Sequence, residues 1–479
     1  MNDRVPPTAI DVGELAAAPE RMLELTSTAA FSLPVEAIAD YQITALQKRF
    51  RDLVPRVPVL ARLADEQGIG AIRRTEDAAP LLFKHSVYKS YPLSFLDSSS
   101  FGRLTQWLKG LTSLDLSGVD AAGCETVDDW IQALDSKSEL QVIHSGGTSG
   151  KLSFLPRSRR EMPSMVHGWK RYFERFGAKA RDDIEGIDQV PLVYVGQRRG
   201  AMAHHRLMDA MLRYLYAGDE SKIVTLHPGR MSADMLSVGG RLKTAEAKGE
   251  LGRLQLPPHL LARREAFLAE QRGAAERVRD FIFDLAARMR GARIAMMSHQ
   301  GQIYDFAVAG LARGIEKAFA ADSFIMMGGG SKGRVFPPDW QDTVRRFFQV
   351  EDLRMGYGMT ECMNATRECS KGKFHFLPYV IPYLLDPRSG EPAPRTGTHT
   401  GRFGLIDLAA QTYWGGILTG DEVTLTFGDR PCGCGRAGPH LDASIRRYGE
   451  QEGGDDKITC AGAPEAHDRA VDRLLQDLQ

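Results

Sequence analysis

The stretch Ser145-Gly146-Gly147-Thr148-Ser149-Gly150-Lys151 follows a short apolar run, Leu140 to His144, that predicts a strand. A helical pattern, Glu161 to Phe176, comes after it. Glycines let backbone N–H groups approach phosphate oxygens, and hydroxyl side chains add further donors. A strand, such a loop and a helix in this order predict a phosphate-binding loop, with a flexible surface turn as the alternative.

Two other glycine-containing loops are excluded by their spacing. A kinase-type phosphate loop needs Gly six residues before its Lys and Ser or Thr directly after it, where this chain has Ser145 and Leu152. A serine-hydrolase elbow needs Gly two residues after its Ser, where Ser149 is followed by Lys151. The loop therefore belongs to neither class.

Three later segments carry related signals. Phe324-Ile325-Met326-Met327 is a strand-like run that enters Gly328-Gly329-Gly330. Gly356-Tyr357-Gly358-Met359-Thr360-Glu361 and Thr419-Gly420-Asp421 follow in that order. Taken singly, they are typical of a strand-end turn, an exposed carboxylate and an ordinary turn. A carboxylate beside a triphosphate needs a bridging metal ion, because like charges repel.

The four segments together resemble the adenylate-forming superfamily, the acyl-CoA synthetases and related ligases. Its loop pattern is Ser-Gly-Thr-Thr-Gly-x-Pro-Lys, and Gly147-Thr148-Ser149-Gly150 matches the centre. Leu152 and Ser153 stand where the usual Pro and Lys occur, as expected for the phenylacetate–CoA ligase and acyl-protein synthetase branches. The resemblance covers about Leu140 to Gly462 and implies an α/β fold with parallel sheets in a large N-terminal domain.

The resemblance also implies roles. The loop and Lys151 would hold phosphate, and the Gly328–Gly330 backbone would pack against adenine. Tyr357 would stack on adenine within the segment that includes Gly358 and Met359. Thr360 would contact phosphate, and Glu361 would hold Mg²⁺. Asp421 would accept hydrogen bonds from the ribose. The usual hinge Gly-Arg is missing, so a ribose contact is expected from one of three arginines: Arg436, Arg446 or Arg447.

A second cluster suggests a metal. Three thiols and one imidazole, from Cys369, His375, Cys432 and Cys434, suit a tetrahedral structural Zn²⁺ site. The alternative is four unrelated reduced residues, because Cys-x-Cys is tighter than the commonest zinc spacing. Phenylacetate–CoA ligase-like proteins resemble this chain in Glu368-Cys369, His375 and Pro431 to Arg436. Cys362 is a substitute ligand.

The end of the chain bears on the acyl acceptor. Asp455 to Gly462 resembles the family's hinge, and 17 residues follow Gly462. We therefore expect the C-terminal lobe, with its catalytic Lys, to be truncated. Acyl-protein synthetases have such a short ending and transfer the acyl group to a cysteine near their own C-terminus. Met327 to Lys332 also looks like their Gly-Gly-Gly-x-Lys segment. Cys460 is then the candidate acceptor, with a packing residue as the alternative.

The composition sets outer limits. Lys+Arg and Asp+Glu are both 61 in 479 residues, so no basic surplus favours nucleic-acid binding. No apolar run approaches the ~20 residues of a membrane span, and the N-terminus lacks a secretion signal. We expect a cytoplasmic protein with ATP, Mg²⁺ and Zn²⁺ as cofactors. Its partners would be a small-molecule carboxylic acid and an acyl-carrier or acyl-reductase protein.

The chain divides into four predicted parts. Residues 1–139 are mainly helical, 140–373 form the α/β nucleotide- and acid-binding core, 374–448 form a β-rich subdomain with the zinc cluster, and 449–479 form a hinge remnant and a short helix. A long helical pattern runs from Arg263 to Arg290. The acid is not identified, and Gln197 to Arg206 could contact its carboxylate.

The predicted activity is ATP-dependent activation of this acid as an acyl-adenylate, followed by transfer to a thiol. The alternatives are a CoA-forming or amide-forming ligase and a nucleotide-binding scaffold without turnover.

Overall fold

A computed structural model describes residues 11–147, 150–174, 186–329, 334–350, 353–363, 366–428 and 430–448. Thr148, Ser149, Gly330 and Cys460, which the sequence singles out, lie outside the described residues. Among the described residues, no helix is long and apolar enough to cross a membrane.

The first part of the chain is mainly helical, as predicted. Its helices are α1 (Val12–Ala17), α2 (Ser27–Phe31), α3 (Val35–Leu53), α4 (Pro58–Glu66), α5 (Ser94–Asp97), α6 (Phe101–Lys109) and α7 (Val127–Lys137). Helix α7 begins at a capping box, in which Thr126 accepts from the Asp129 N–H at 3.0 Å and Asp129 reaches back to the Thr126 N–H. Such a cap stabilises a helix by about 1 kcal/mol. One short strand, β1 (Phe83–Lys84), interrupts the helices.

A small hairpin precedes the main sheet. Strands β2 (Ile143–His144) and β3 (Phe154–Leu155) pair antiparallel, and the predicted phosphate-binding loop connects them. Helix α8 (Met162–Arg171) follows, inside the range predicted for a helix.

The main sheet is parallel across five strands. They are β4 (Leu192–Arg199), β5 (Ile223–Arg230), β6 (Ala295–His299), β7 (Phe324–Gly328) and β8 (Leu353–Tyr357), and β9 (Thr366–Arg367) pairs antiparallel with β8. The spatial order is β5-β4-β6-β7-β8-β9. From β4 the chain continues to β5, which lies on one side of β4, and then to β6, which lies on the other side of β4. This reversal leaves a crevice at the carboxyl ends of β4 and β6, where ligands of open α/β sheets bind.

Helices cover both faces of this sheet. They are α9 (Ala203–Tyr214), α10 (Ala233–Ala247), α11 (Pro258–Gln271), α12 (Ala274–Arg288), α13 (Gln300–Ala312) and α14 (Trp340–Phe348). Successive strand residues point to opposite faces, so Leu192 joins one buried cluster and Val193 the other. The second cluster contains side chains of α12, α13 and α14, including Leu285, Phe306 and Phe347. Burial on both faces explains the continuous apolar strand runs.

The long helix predicted from Arg263 to Arg290 is wrong as a single element. It is two helices, α11 and α12, separated at Gly273, whose φ is +65°. A left-handed glycine ends one helix and lets the chain start another. The helical pattern of the sequence continues on both sides of Gly273, so the pattern did not indicate this break.

The last part is rich in strands, as predicted, and the strands form a mainly antiparallel sheet. Its strands are β10 (Lys373–His375), β11 (Val380–Leu385), β12 (Thr398–Asp407), β13 (Gly416–Thr426), β14 (His440–Asp442) and β15 (Arg446–Arg447). The order is β10-β14-β13-β12-β11, and β15 also pairs with β13. Strand β1, from the first part of the chain, joins this sheet parallel to β13. The predicted boundaries at 139, 373 and 448 stay predictions.

Candidate active site

The glycine loop between β2 and β3 is closed at its base. The Ser145 N–H donates to the Ser153 carbonyl at 3.1 Å, and the Ser153 N–H donates to the Ser145 hydroxyl at 3.0 Å. Inside the loop, the Gly150 N–H donates to the Gly147 carbonyl at 2.8 Å. Both glycines have positive φ, +64° and +82°, which suits glycine better than any other residue. The two ends of the loop are therefore fixed relative to each other.

Helix α10 packs directly against this loop through a glycine of its own. A Cβ at Gly240 would lie 2.0 Å from the Gly147 carbonyl oxygen and 3.1 Å from the Gly150 Cα, so a larger residue does not fit. Gly240 carries no motif, and sequence analysis missed it. The available signal was a Gly-Gly pair inside a 15-residue helix, where each glycine costs about 1 kcal/mol relative to alanine.

One cleft of about 320 Å³ contains several of the predicted nucleotide-binding residues. It is lined by the glycine loop, by the segment after β8, by β13 and β15, and by two residues of the N-terminal helical part. The lining residues are His85, Lys89, Ser145, Gly146, Gly147, Lys151, Ser153, Met359, Glu361, Ile417, Thr419, Gly420, Asp421 and Arg447. Segments more than 270 positions apart in the printed sequence therefore meet at one site.

At one end of the cleft, Asp421 is fixed by two partners. The Tyr357 hydroxyl donates to its Oδ2 at 2.9 Å, and Arg447 Nε lies 3.3 Å from its Oδ1. The Asp421 N–H donates to the Thr419 hydroxyl at 3.1 Å, at the point where the register of β13 against β12 shifts, so the strand itself supports the carboxylate. Asp421, Tyr357 and Arg447 form one connected polar group.

The three candidate ribose arginines occupy different places. Arg447 lies in the cleft beside Asp421, whereas Arg446 pairs with Glu422. The Arg436 guanidinium lies over the Phe31 ring, 5.2 Å from its centroid, and lines a separate cavity next to His375. The geometry therefore favours Arg447 over Arg436 for contact with a nucleotide in the cleft.

Thr360 and Glu361 are positioned by a buried arginine. Arg157 Nη2 donates to the Thr360 carbonyl at 3.0 Å, and Arg157 Nη1 lies 2.9 Å from the Met363 sulfur. The Met363 N–H in turn donates to the buried Asp407 carboxylate at 2.5 Å. These bonds hold the backbone in place on both sides of Glu361, at Thr360 and at Met363.

Burial raises the pKa of the Glu361 carboxyl, while the positive charges of Arg157, Lys89 and Arg447 oppose that rise. The side chain lines the cleft across from the glycine loop. A single carboxylate facing a phosphate-binding loop fits Mg²⁺, which binds through one or two carboxylates and substrate phosphates.

Two lysines, Lys89 and Lys151, line the cleft beside the glycine loop and give it positive charge. Burial, together with the neighbouring charge of Lys89, lowers the pKa of the Lys151 amine to about 8. Lys151 Nζ also lies 4.7 Å from the centroid of the Tyr91 ring. Sequence analysis missed Lys89, because it comes from the N-terminal helical part and stands in no recognisable motif.

The predicted adenine-side glycines lie at the end of β7. Gly328 is its last residue and is in register with His299 of β6. A Cβ at Gly328 would meet no atom within 4 Å, and Gly329 has a φ of +75°. Strand β8, which ends at Tyr357, is the next strand along. The two described glycines thus lie at the sheet edge that carries Tyr357.

The arginines proposed to contact the acid's carboxylate are already paired. Arg198 lies 2.8 Å from Asp209 and 3.1 Å from Glu220. Arg206 lies 2.8 Å from Asp135. Their positive charges are balanced inside the protein, so the segment 197–206 offers its histidines rather than these arginines to a ligand.

The predicted metal ligands converge. The ligand atoms of Cys369, His375, Cys432 and Cys434 all lie within 4.8 Å of one another. Cys434 Sγ and His375 Nε2 are 3.5 Å apart, close to the ~3.5 Å edge of a tetrahedron with Zn–S and Zn–N bonds of about 2.3 and 2.0 Å. Cys362 is buried but is not one of the four. The residues therefore fit Zn²⁺, whose presence stays a prediction.

The fold matches that of a solved 2-hydroxyisobutyryl-CoA ligase, in an open conformation with 2-HIB-AMP and CoA. The TM-score is 0.50 at 14% identity, over 88% of this chain and 72% of that one. MatB from Rhodopseudomonas palustris also matches, with 14% identity over 67% of this chain and 52% of its own, at a TM-score of 0.35. The amide bond synthetase McbA from Marinactinospora thermotolerans matches with 14% identity over 64% of this chain and 50% of its own, at a TM-score of 0.33.

No family model matches the sequence, and no curated protein matches it. The chain has the α/β fold of adenylate-forming ligases, which confirms the fold predicted from the sequence. At 14% identity the likeness establishes the fold alone.

Proposed function

We propose that this protein activates a carboxylic acid with ATP, forming an acyl-adenylate and releasing pyrophosphate. The observation that carries the proposal is the meeting of the glycine loop, Glu361 and Asp421 in one cleft. In the reaction, a carboxylate oxygen attacks the α-phosphorus in line. A new P–O bond forms as the bond to the pyrophosphate oxygen breaks. Little covalent chemistry falls to the protein, so positioning and charge neutralisation supply the catalysis.

In this proposal the two ends of the cleft bind different parts of ATP, the ribose at one end and the phosphates at the other. Asp421, with both carboxylate oxygens fixed by Tyr357 and Arg447, accepts hydrogen bonds from the ribose hydroxyls. Backbone N–H groups of the glycine loop bind the phosphates, and Lys151 and Lys89 neutralise their charge. Glu361 would hold Mg²⁺, which supplies charge neutralisation between the phosphate oxygens.

Acid-dependent exchange of pyrophosphate into ATP tests the proposal. The wild-type protein should catalyse exchange with at least one member of a broad acid panel. Glu361→Ala should lower the rate by at least about a hundredfold, as for loss of one stabilising group in a preorganised site. Glu391→Ala, at an exposed turn, is the matched control and should exchange normally. An absence of exchange across the whole panel would refute the proposal.

The adenylate is then proposed to pass its acyl group to a thiol, either Cys460 or a carrier protein's thiol. The thiolate attacks the acyl carbonyl, a thioester forms, and AMP leaves. Labelled acid should attach to the protein and be released by hydroxylamine. Cys460→Ser should abolish this label, whereas Cys124→Ser should keep it. Undiminished label in Cys460→Ser would exclude that cysteine and assign the acyl group to another residue of the chain, whereas an unlabelled wild type would leave a carrier protein's thiol as the acceptor.

Two acceptors other than a protein thiol follow from the structural neighbours. The 2-hydroxyisobutyryl ligase is a CoA ligase, and McbA is an amide bond synthetase. Product analysis with CoA and with an amine, after exchange has identified the acid, distinguishes them. An absence of pyrophosphate exchange with every acid, in a protein that still binds ATP, would favour the nucleotide-binding scaffold without turnover.

The Cys369–His375–Cys432–Cys434 cluster is proposed to hold a structural Zn²⁺. It connects the end of β10 to the turn between β13 and β14, and this places it at the edge of the antiparallel sheet. All four ligands come from protein side chains, as in closed structural sites. The ion would fix the sheet that carries Asp421 and take no part in the chemistry.

A further inference from the structure

Several histidines gather where the order of the parallel sheet reverses. His204 and His205 lie in the first turn of α9, Tyr194 lies in β4, and His144 directly precedes the glycine loop. The His204 ring centroid lies 4.1 Å from that of His205 and 4.4 Å from that of Tyr194. The group therefore lies in the crevice at the carboxyl ends of β4 and β6, next to the loop proposed to bind phosphate.

The contact with the loop is direct. The His144 N–H donates to the Ala201 carbonyl at 2.9 Å, which joins the strand before the loop to the start of α9. A Cβ at Gly146 would lie 3.5 Å from the Met202 methyl. A group bound by these histidines would thus lie within a few bond lengths of the phosphate-binding backbone.

Three imidazole nitrogens of this group are buried without a hydrogen-bond partner: the Nε2 atoms of His144, His204 and His205. His144 and His205 are 1% and 0% exposed. Leaving a buried polar atom unpaired costs about 1–3 kcal/mol, so such atoms in native proteins normally meet water or a ligand. Three of them in one place indicate a polar ligand.

The ring nitrogens differ in whether they donate or accept a hydrogen bond. His144 Nδ1 lies 2.9 Å from the Ser145 carbonyl, which only accepts, so Nδ1 carries the proton and Nε2 is an acceptor. His205 Nδ1 accepts the Met202 N–H at 3.3 Å, and its ring also interacts with the Gln197 backbone carbonyl. The group therefore offers an acceptor at His144 Nε2, which a hydroxyl or N–H-bearing ligand can satisfy.

Burial also disfavours the charged form of these histidines. Burial lowers the pKa of His144 and, with the neighbouring imidazoles, lowers the pKa of His204 well below its usual value. Burial and His144 lower the pKa of His205 to about 3. The two buried arginines nearby, Arg198 and Arg206, are paired with carboxylates.

We propose that His144, His204 and His205 bind a neutral polar substituent of the acid, so the preferred substrate is a carboxylic acid with a hydroxyl or N–H group close to its carboxylate. This inference rests on the proposed function and narrows its substrate class. Plain alkyl acids would leave the three nitrogens unpaired and would be poorer substrates.

Exchange assays with matched acids test this inference. Each hydroxy or amino acid is paired with the unsubstituted acid of the same skeleton, and the ratio of their kcat/KM values is measured. In the wild type, at least one polar member should exceed its partner by about tenfold or more, as for loss of a hydrogen bond in a buried site. Equal or lower values for all polar members would overturn the inference.

His204→Phe keeps the ring beside Tyr194 but removes both nitrogens, and His204 is only partly buried, so the variant is compatible with the fold. It should lower the ratio about tenfold, because activity on the substituted acid falls more than activity on the unsubstituted one. His204→Gln should restore part of the ratio. His399→Phe, at a partly buried histidine on β12, is the control.

The two proposals fail in different ways. An unchanged ratio in His204→Phe, with exchange intact, removes the substrate inference alone. If no acid of the panel supports exchange, the proposed function is refuted, and the substrate inference that rests on it is refuted as well.

Discussion

The Tyr357 hydroxyl donates a 2.9 Å hydrogen bond to the Asp421 carboxylate, which joins the last residue of the parallel sheet's β8 to the middle of the antiparallel sheet's β13. The sequence treats these residues as independent nucleotide contacts, one for adenine and one for ribose. The structure makes them a pair, in which the phenol orients the carboxylate. Removal of either one should therefore affect the task of the other.

Tyr357→Phe should raise the KM for ATP about three- to tenfold with little change in kcat, because one buried hydrogen bond contributes about 1 kcal/mol. In an Asp421→Asn background the same substitution should have a smaller effect, since the two residues interact. Pyrophosphate exchange at varied ATP measures both. Tyr214→Phe, on a partly exposed tyrosine, is the control. Fully additive effects of the two substitutions would contradict the pairing.

The Lys151 amine should give ATP binding an alkaline limit. Its pKa of about 8 means that it loses its positive charge as the pH rises through 8, so affinity for ATP should fall above that pH. Lys151→Arg keeps its charge and should remove the limit. Titration of ATP binding between about pH 6.5 and 9.5 checks this expectation. If the alkaline limit of ATP binding is unchanged in Lys151→Arg, another titrating group causes it.

Lys89 offers a second test of the same site. Its charge contributes to lowering the Lys151 pKa, so Lys89→Met should move the alkaline limit to higher pH. It should also weaken ATP binding at neutral pH, because one of two cations at the phosphates is lost. Lys109→Met, at the end of α6, is the control. A limit that moves to lower pH would contradict the proposed arrangement.

The sequence predicts the site segments that lie in local motifs and misses those that distant packing creates. The glycine loop, Tyr357, Glu361 and Asp421 were found because each stands in a recognisable pattern. Lys89 and the pairing of β1 with β13 depend on contacts between residues more than 300 positions apart. No local pattern encodes such contacts. The break at Gly273 was missed for a different reason, because helical periodicity continues on both sides of it.

The metal cluster predicts a measurable ion. Protein purified without chelator should hold about one equivalent of zinc, and less than about half would count against a tetrahedral site. Cys434→Ser should lose the metal and lower the Tm, because ligand binding stabilises the folded state. Cys124→Ser should keep both. Cys362→Ser should also keep the metal, since Cys362 is not among the four converging residues.

Gly240 gives the sharpest test of how α10 positions the glycine loop. Replacing an exposed helix-interior glycine by alanine normally stabilises a protein by about 1 kcal/mol. At Gly240 the sign should reverse, because the new Cβ would lie 2.0 Å from the Gly147 carbonyl oxygen and push the loop away from α10. Gly240→Ala should therefore lower the Tm and sharply reduce pyrophosphate exchange.

Gly102→Ala is its matched control. Gly102 lies in α6, is exposed, and a Cβ there would meet no atom within 4 Å. This substitution should raise the Tm slightly and leave exchange unchanged. Thermal unfolding and exchange rates of the two variants, measured side by side, separate the gain in helix propensity from displacement of the loop. If Gly240→Ala behaves like Gly102→Ala, the loop does not depend on its contact with α10.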